Sequence, residues 1–138
     1  MTYALDTNAI LEYLNGQKFV TARFINAVTS NKPIIIPRVA DYEVMRGFYH
    51  KQHSDKEIIY NQLKTYCPII EITPAMWNRA AQIWAQLLKM NIRIGDADLL
   101  IASQCLINGY TLVTNNVSDF SPISGMIIED WETNNATK

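Results

Sequence analysis

The chain has 138 residues, 49% of them from the apolar and aromatic set and 18% charged, which suits one folded domain and offsets the ordering entropy that keeps polar chains unfolded. Twelve Lys and Arg against thirteen Asp and Glu give a formal net charge of −1, which excludes a uniformly basic coat for nucleic acid and leaves phosphate binding to a local patch or a metal. No apolar run approaches the roughly 20 residues of a membrane span, and no basic stretch precedes an apolar signal core, so the expected place is the cytoplasm, away from membranes.

Tyr3-Ala4-Leu5 predicts a short strand that ends at Asp6-Thr7, and Ile10, Leu11 and Leu14 then predict a helix stopped by Asn15-Gly16. A second helix carries Phe19, Val20, Phe24, Ile25 and Val28, after which Pro33 opens the β-branched run Ile34-Ile35-Ile36. An all-apolar strand of this kind belongs in a sheet covered on both faces. Val39, Tyr42, Val44, Met45 and Phe48 mark a third helix, and Ile58, Ile59, Leu63 and Tyr66 a fourth, before the break at Pro68. Ile69 to Ile72 reads as the third strand.

Thr73-Pro74 is an N-cap followed by proline at the first helical position. The helix it opens runs to about Met90, and its stripe of Trp77, Ala80, Ala81, Trp84, Leu87 and Leu88 places both tryptophans in the core. After Gly95 a helix carries Asp96, Asp98, Leu99, Leu100, Ile101 and Ala102 and ends at Asn108-Gly109. Thr111 to Thr114 is the fourth strand, and Met126-Ile127-Ile128 a short fifth at an edge. Residues 1–131 read as one domain and 132–138 as a frayed polar tail. Strands alternating with helices imply an α/β fold, a parallel sheet of four to five strands with helices on both faces. Cys67 and Cys105 match no metal or redox spacing and read as buried thiols in a reducing compartment.

In open α/β sheets ligands bind beyond the carboxyl ends of the strands. Asp6 ends the first strand, Asp119 lies just past the fourth, Asp98 is in the first turn of the helix that feeds the fourth, and Glu43 is in the helix after the second. Only the fold could bring four such distant acids to one mouth. Clustered carboxylates resist ionising unless a positive charge sits among them, and hard oxygen ligands suit Mg²⁺ or Mn²⁺. Such a cation would supply an activated water for attack on a phosphodiester and neutralise charge on the phosphoryl oxygens.

Leu5-Asp6-Thr7-Asn8, Glu43-Val44-Met45-Arg46-Gly47, Gly95-Asp96-Ala97-Asp98-Leu99-Leu100-Ile101-Ala102 and Leu112-Val113-Thr114-Asn115-Asn116 with Asp119-Phe120 together resemble a PIN-domain ribonuclease of the VapC toxin type. The resemblance spans residues 2 to 131 and implies a three-layer α/β/α sandwich. It also implies a Mg²⁺-dependent endoribonuclease, with Mn²⁺ as a possible substitute. Asp6, Glu43, Asp98 and Asp119 take the family's metal-binding and catalytic positions, and Thr114, Asn116 and Asn8 the polar groups flanking the site. The family often has arginine where this chain has Asn115. The implied partners are structured RNA such as transfer RNA, a second copy in a homodimer, and a VapB-like antitoxin whose tail, often bearing an arginine, enters the acidic groove.

Several residues keep two readings at this level. Asp96 is either the cap of its helix or part of the metal's outer shell. Asp6 alone could supplement an N-cap at Thr7. Arg46, His50, Lys51, His53 and Lys56 form a basic stretch that is either a solvated helix face or an RNA-backbone contact, with Arg46, one turn from Glu43, and Lys51 the foremost candidates. Two other functions compete with the nuclease. Phosphotransfer through an aspartyl phosphate needs a second acid where this chain has Asn8. A catalytically silent module with the same fold would bind a partner through its acidic groove.

Overall fold

The short β-branched and apolar segments pair with one another because each must bury its side chains and still satisfy its backbone N–H and C=O groups. In the computed structural model, which describes residues 1–52 and 54–133, β1 (Tyr3–Leu5), β2 (Ile34–Pro37), β3 (Ile69–Ile70), β4 (Thr111–Val113) and β5 (Ile127–Glu129) form one sheet. The strand order is β3-β2-β1-β4-β5 and every pairing is parallel, with Tyr3 opposite both Ile34 and Thr111. The three inner strands are buried throughout, whereas β3 and β5 at the edges are only partly covered.

Seven helices flank this sheet among the described residues: α1 (Thr7–Leu14), α2 (Lys18–Thr29), α3 (Arg38–Lys51), α4 (Ser54–Tyr66), α5 (Pro74–Lys89), α6 (Asp96–Asn108) and α7 (Val117–Phe120). The chain steps outward from β1 to β2 to β3, then returns through α5 and α6 to place β4 on the other side of β1. The winding therefore reverses between β1 and β4, and their carboxyl ends open onto the crevice where parallel α/β sheets hold ligands.

Local signals account for most of the boundaries. Thr73 caps α5, accepting a hydrogen bond from the Met76 N–H at 3.4 Å, with Pro74 at the first helical position. Gly109 ends α6 in the left-handed conformation, φ 69°, that glycine adopts without penalty. The buried Tyr60 hydroxyl donates to Asp41 at 2.7 Å and fastens α4 to α3, while Arg38 links Asp41 at 3.0 Å to Glu71 after β3.

Four expectations need correction. Trp77 and Trp84 are not core residues: they remain 56% and 48% exposed. The stripe of α5 that the core takes up is Met76, Ala80, Ile83 and Leu87, and the adjoining stripe of Trp77, Ala81 and Trp84 is left at the surface. β3 stops at Ile70 rather than Ile72, because its partner β2 ends opposite it at Pro37 and turns into α3, and the Gln104 side-chain amide takes the carbonyls of Ile70 and Glu71 at 2.8 and 3.3 Å. The turn after β4 closes into the short helix α7, which buries Phe120 completely. Glu132, expected in a frayed tail, is held by Gln17 through its carbonyl at 3.1 Å and by Asn115 through its carboxylate at 2.6 Å. Residues 134–138 of that tail, and His53, lie outside the described residues. Both cysteines are free and buried, and burial pushes each thiol up to about 12, as the sequence expects of inert interior thiols. Among the described residues no helix is long and apolar enough to cross a membrane.

Candidate active site

Asp6 stands where β1 gives way to α1. Its extended backbone, φ −68° and ψ 160°, makes it the N-cap of α1, so Thr7 is the first helical residue and not the cap. Asp6 as a residue is 3% exposed, and a buried carboxylate persists only if its oxygens are bonded. Oδ1 accepts the Thr7 N–H at 2.8 Å, and Oδ2 accepts the Thr114 hydroxyl at 2.7 Å and the Asn8 amide at 3.0 Å. Thr114, immediately after β4, is itself pinned: its Oγ1 accepts from the Asn8 amide at 3.2 Å and from the Asn116 N–H at 3.0 Å. Asn8 completes the bracket by accepting the Asn115 N–H at 3.1 Å. The carboxyl ends of the two central strands are thus stitched together by side chains, with Asp6 in the middle.

Burial raises the pKa of Asp6 and the charge on Glu43 adds to that, while the hydrogen bonds from Thr114, Thr7 and Asn8 oppose it. Glu43, on α3, faces the same mouth. Its Oε1 accepts the Thr7 hydroxyl at 2.6 Å, and its Oε2 meets Arg46 at 3.4 Å. Asp98 enters from the first turn of α6, and its carboxyl is pushed up to about 6, first by burial and then by the negative charges of Asp6, Asp119 and Glu43. That mutual repulsion places all four acids in one electrostatic neighbourhood. Asp119 is exposed on α7 and lines a cleft with Asp98.

Asp96 does not join them, and it is not a cap either. Gly95 occupies the cap position, α6 has no side-chain cap bond, and Asp96 is the first helical residue. Two positions apart on a helix means about 200° around its axis, so Asp96 turns away from the side occupied by Asp98 and lines a groove with Trp77 and Trp84. Arg46 sits beside the site, paired with Glu43 and with its guanidinium 5.1 Å from the Tyr42 ring centre. Lys51 is exposed at the far end of α3, about 7.5 Å of helical rise beyond Arg46. Lys56 is engaged with Asn15 at 2.6 Å. The role of Thr7 toward Glu43 is the feature that sequence reasoning missed. Its only signal is a hydroxyl directly after Asp6.

The donor chemistry, though not a preformed cage, is of the kind a divalent cation takes. The four carboxylates supply hard oxygens, and the upward push on Asp98 comes first from its burial and then from the charges of Asp6, Asp119 and Glu43, all of which a nearby cation would offset. Among the described residues no three acidic, histidine or cysteine side chains already converge as a complete cage. This is compatible with Mg²⁺, which commonly uses one or two carboxylates and keeps several waters.

A buried aspartate thus ends β1 at the switch point of a parallel sheet, and Asp98 on α6 feels the charges of Asp6, Asp119 and Glu43. Residues 3–123 match the PIN domain, and the chain belongs to that family. Within it, the chain is similar to Ribonuclease VapC2 of Rickettsia felis, 28% identical over 137 residues that cover 96% of this chain and 99% of the relative. It is also similar to the tRNA(fMet)-specific endonuclease VapC of Shigella flexneri, 25% identical over 133 residues covering 95% and 98%. Among solved structures, that of VapBC2 from Rickettsia felis bound to a DNA fragment from its promoter superposes with a TM-score of 0.86 at 26% identity, covering 95% of this chain and 99% of that one. The motif resemblance and the expected α/β/α fold therefore hold.

Proposed function

We propose that this chain is a Mg²⁺-dependent endoribonuclease, the toxin of a type II toxin and antitoxin pair, which hydrolyses RNA phosphodiester bonds in the cytoplasm. The observation that carries this reading is the gathering of Asp6, Glu43, Asp98 and Asp119 at the switch point, close enough for three of the acids to raise the pKa of the fourth. Mg²⁺, or Mn²⁺ in its place, would supply an activated water and neutralise charge on the phosphoryl oxygens. Asp6 and Asp98 are the principal ligands, with Glu43 and Asp119 completing the set. Thr114 and Asn8 hold Asp6 in one orientation, Asn116 borders the mouth, and Arg46 and Lys51 contact the RNA backbone outside it.

Relatives named as ribonucleases and as a tRNA(fMet)-specific endonuclease support RNA as the substrate, with transfer RNA as the class. A relative solved as a VapBC complex supports a VapB-like antitoxin whose basic tail enters the acidic groove. The exposed Trp77 and Trp84 face supports a homodimer, since an apolar patch of this kind is unusual on a monomer and a two-fold interface pairs the same patch on both copies.

The test is incubation of the purified, partner-free protein with total cellular RNA in Mg²⁺ or in EDTA, alongside Asp98→Asn and Asp96→Asn. Cleavage is expected to need metal and Asp98 and to survive loss of Asp96. No cleavage by the wild type in Mg²⁺ would overturn the enzymatic reading in favour of a silent module that binds through its acidic groove.

A further inference from the structure

Beside the four acids, loop 92–95 and α7 enclose a cleft of about 280 Å³ lined by Arg93, Gly95, Asp98, Ser118, Asp119 and Pro122. Asp98, half-buried, and Asp119, exposed, both line it. Arg93 lines it too and is exposed, between the partly buried Ile92 and Ile94. Arg38 and Arg46 each reach a carboxylate, at 3.0 and 3.4 Å, and Arg23 reaches Glu129 at 3.2 Å. Arg93 pairs with no carboxylate among the described residues, although it shares its cleft with two.

An exposed arginine shares one cleft with two aspartates and is in no ion pair with either among the described residues, so its donors remain available to an anion. The guanidinium's planar fork is suited to phosphate oxygens, which it binds through two parallel hydrogen bonds. The turn that leads into it is hydrogen-bonded: the N–H groups of Met90, Asn91 and Ile92 return to the carbonyls of Leu87, Leu88 and Leu87 at 2.9–3.0 Å. Asn91 takes the left-handed conformation, φ 59°, that ends α5. Gly95 contributes no side chain, and a Cβ there would meet nothing within 4 Å, so the cleft stays open beside Asp98. Ile94 and Pro122 offer an apolar wall against which a sugar or base can lie.

We propose that this cleft is a nucleotide subsite in which Arg93 binds a phosphate of the RNA backbone next to the bond being hydrolysed. The assignment rests on the nuclease reading above. Arg93 is then a substrate-binding residue that fixes the register of the strand across the acids. Phosphate contacts position and do not read sequence, so Arg93 governs how tightly RNA is held and leaves the choice of bases to other groups.

The experiment is fluorescence anisotropy of labelled total transfer RNA with the full chain across a monovalent salt series. Ca²⁺ replaces Mg²⁺, and RNA integrity is checked on a gel. Arg93→Ala is expected to weaken binding about fivefold to tenfold at low salt and to reduce the slope of log Kd against log salt by roughly 0.7 to 0.9, the value for one lost phosphate contact. Arg93→Lys, which keeps the charge, should recover the slope. The Mn²⁺-induced rise in Tm should match the wild type in both variants, which separates lost RNA contact from lost metal. Wild-type binding with an unchanged Kd and slope in Arg93→Ala would overturn the subsite alone. A wild type that neither binds nor cleaves RNA would overturn the nuclease reading and the subsite with it.

Discussion

The hydroxyl of Thr7 donates to Oε1 of Glu43 at 2.6 Å, joining the first residue of α1 to the second turn of α3. Because Thr7 also donates its N–H to Asp6, one residue orients two of the four acids. Partners that orient metal-ligating carboxylates typically contribute 10- to 100-fold to affinity or activity. Thr7→Val, similar in shape but without the hydroxyl, is therefore expected to weaken Mn²⁺ binding about 10-fold or more, read as a smaller metal-induced rise in Tm. Thr7→Ser should restore it. Wild-type metal affinity in Thr7→Val would remove the positioning role.

Asp98 gives the metal-free protein a distinctive pH dependence. Its carboxyl titrates near 6 in the folded state against an ordinary 3.8, so between those values the native state binds the proton that the unfolded chain has released. Stability falls with rising pH wherever the native state binds more protons. In EDTA, Tm should drop as the pH is raised from about 4 through about 6 and then level off. Asp98→Asn should flatten this fall and raise Tm at neutral pH. An Asp98→Asn profile superimposable on the wild type would show that Asp98 does not carry the effect.

The Tyr60 hydroxyl is buried and bonded to Asp41, which is none of the four acids. Removing it in Tyr60→Phe leaves Asp41, among the described residues, with Arg38 as its side-chain partner, and a lost hydrogen bond to a charged acceptor is expected to cost about 1–3 kcal/mol. Urea denaturation would read this as a lower midpoint with an unchanged slope, and cleavage of RNA by the folded variant should persist.

Trp84 offers a test of the proposed homodimer. Because the residue is half exposed, Trp84→Glu should change the stability of the folded chain by only about 0.5 kcal/mol. The same change would set two like charges into an isologous interface. Sedimentation velocity is expected to show a dimer for the wild type and a monomer for the variant. A variant that remains dimeric would move the interface to another face.

Much of the architecture is legible in the residues alone. β-branched runs such as Ile34-Ile35-Ile36, and helical spacings bounded by Asn15-Gly16, Thr73-Pro74 and Asn108-Gly109, are local signals, and local backbone preferences decide them. The acids at strand ends are legible for the same reason: a parallel sheet makes the residue after a strand a candidate wherever it occurs. The expected continuation of β3 through Glu71 and Ile72 fails because its partner β2 ends at Pro37, opposite Ile70, and a side chain from far along the chain, Gln104, takes the carbonyls of Ile70 and Glu71 instead. No neighbour within the segment announces that contact.

Spacing and capping act within a few residues, so the amino-acid order was enough for the alternation of strands and helices, the all-apolar inner strands and the set of acids from which a site could be made. The packed molecule was needed to show that Asp96 neither caps its helix nor turns toward Asp98, that α5 buries the stripe of Met76 and Ile83 and exposes that of Trp77 and Trp84, and that Thr7 reaches Glu43. Each of these depends on how far a helix is rotated against its neighbours. A rotation of one residue, about 100°, leaves the local pattern unchanged while exchanging which side chains meet.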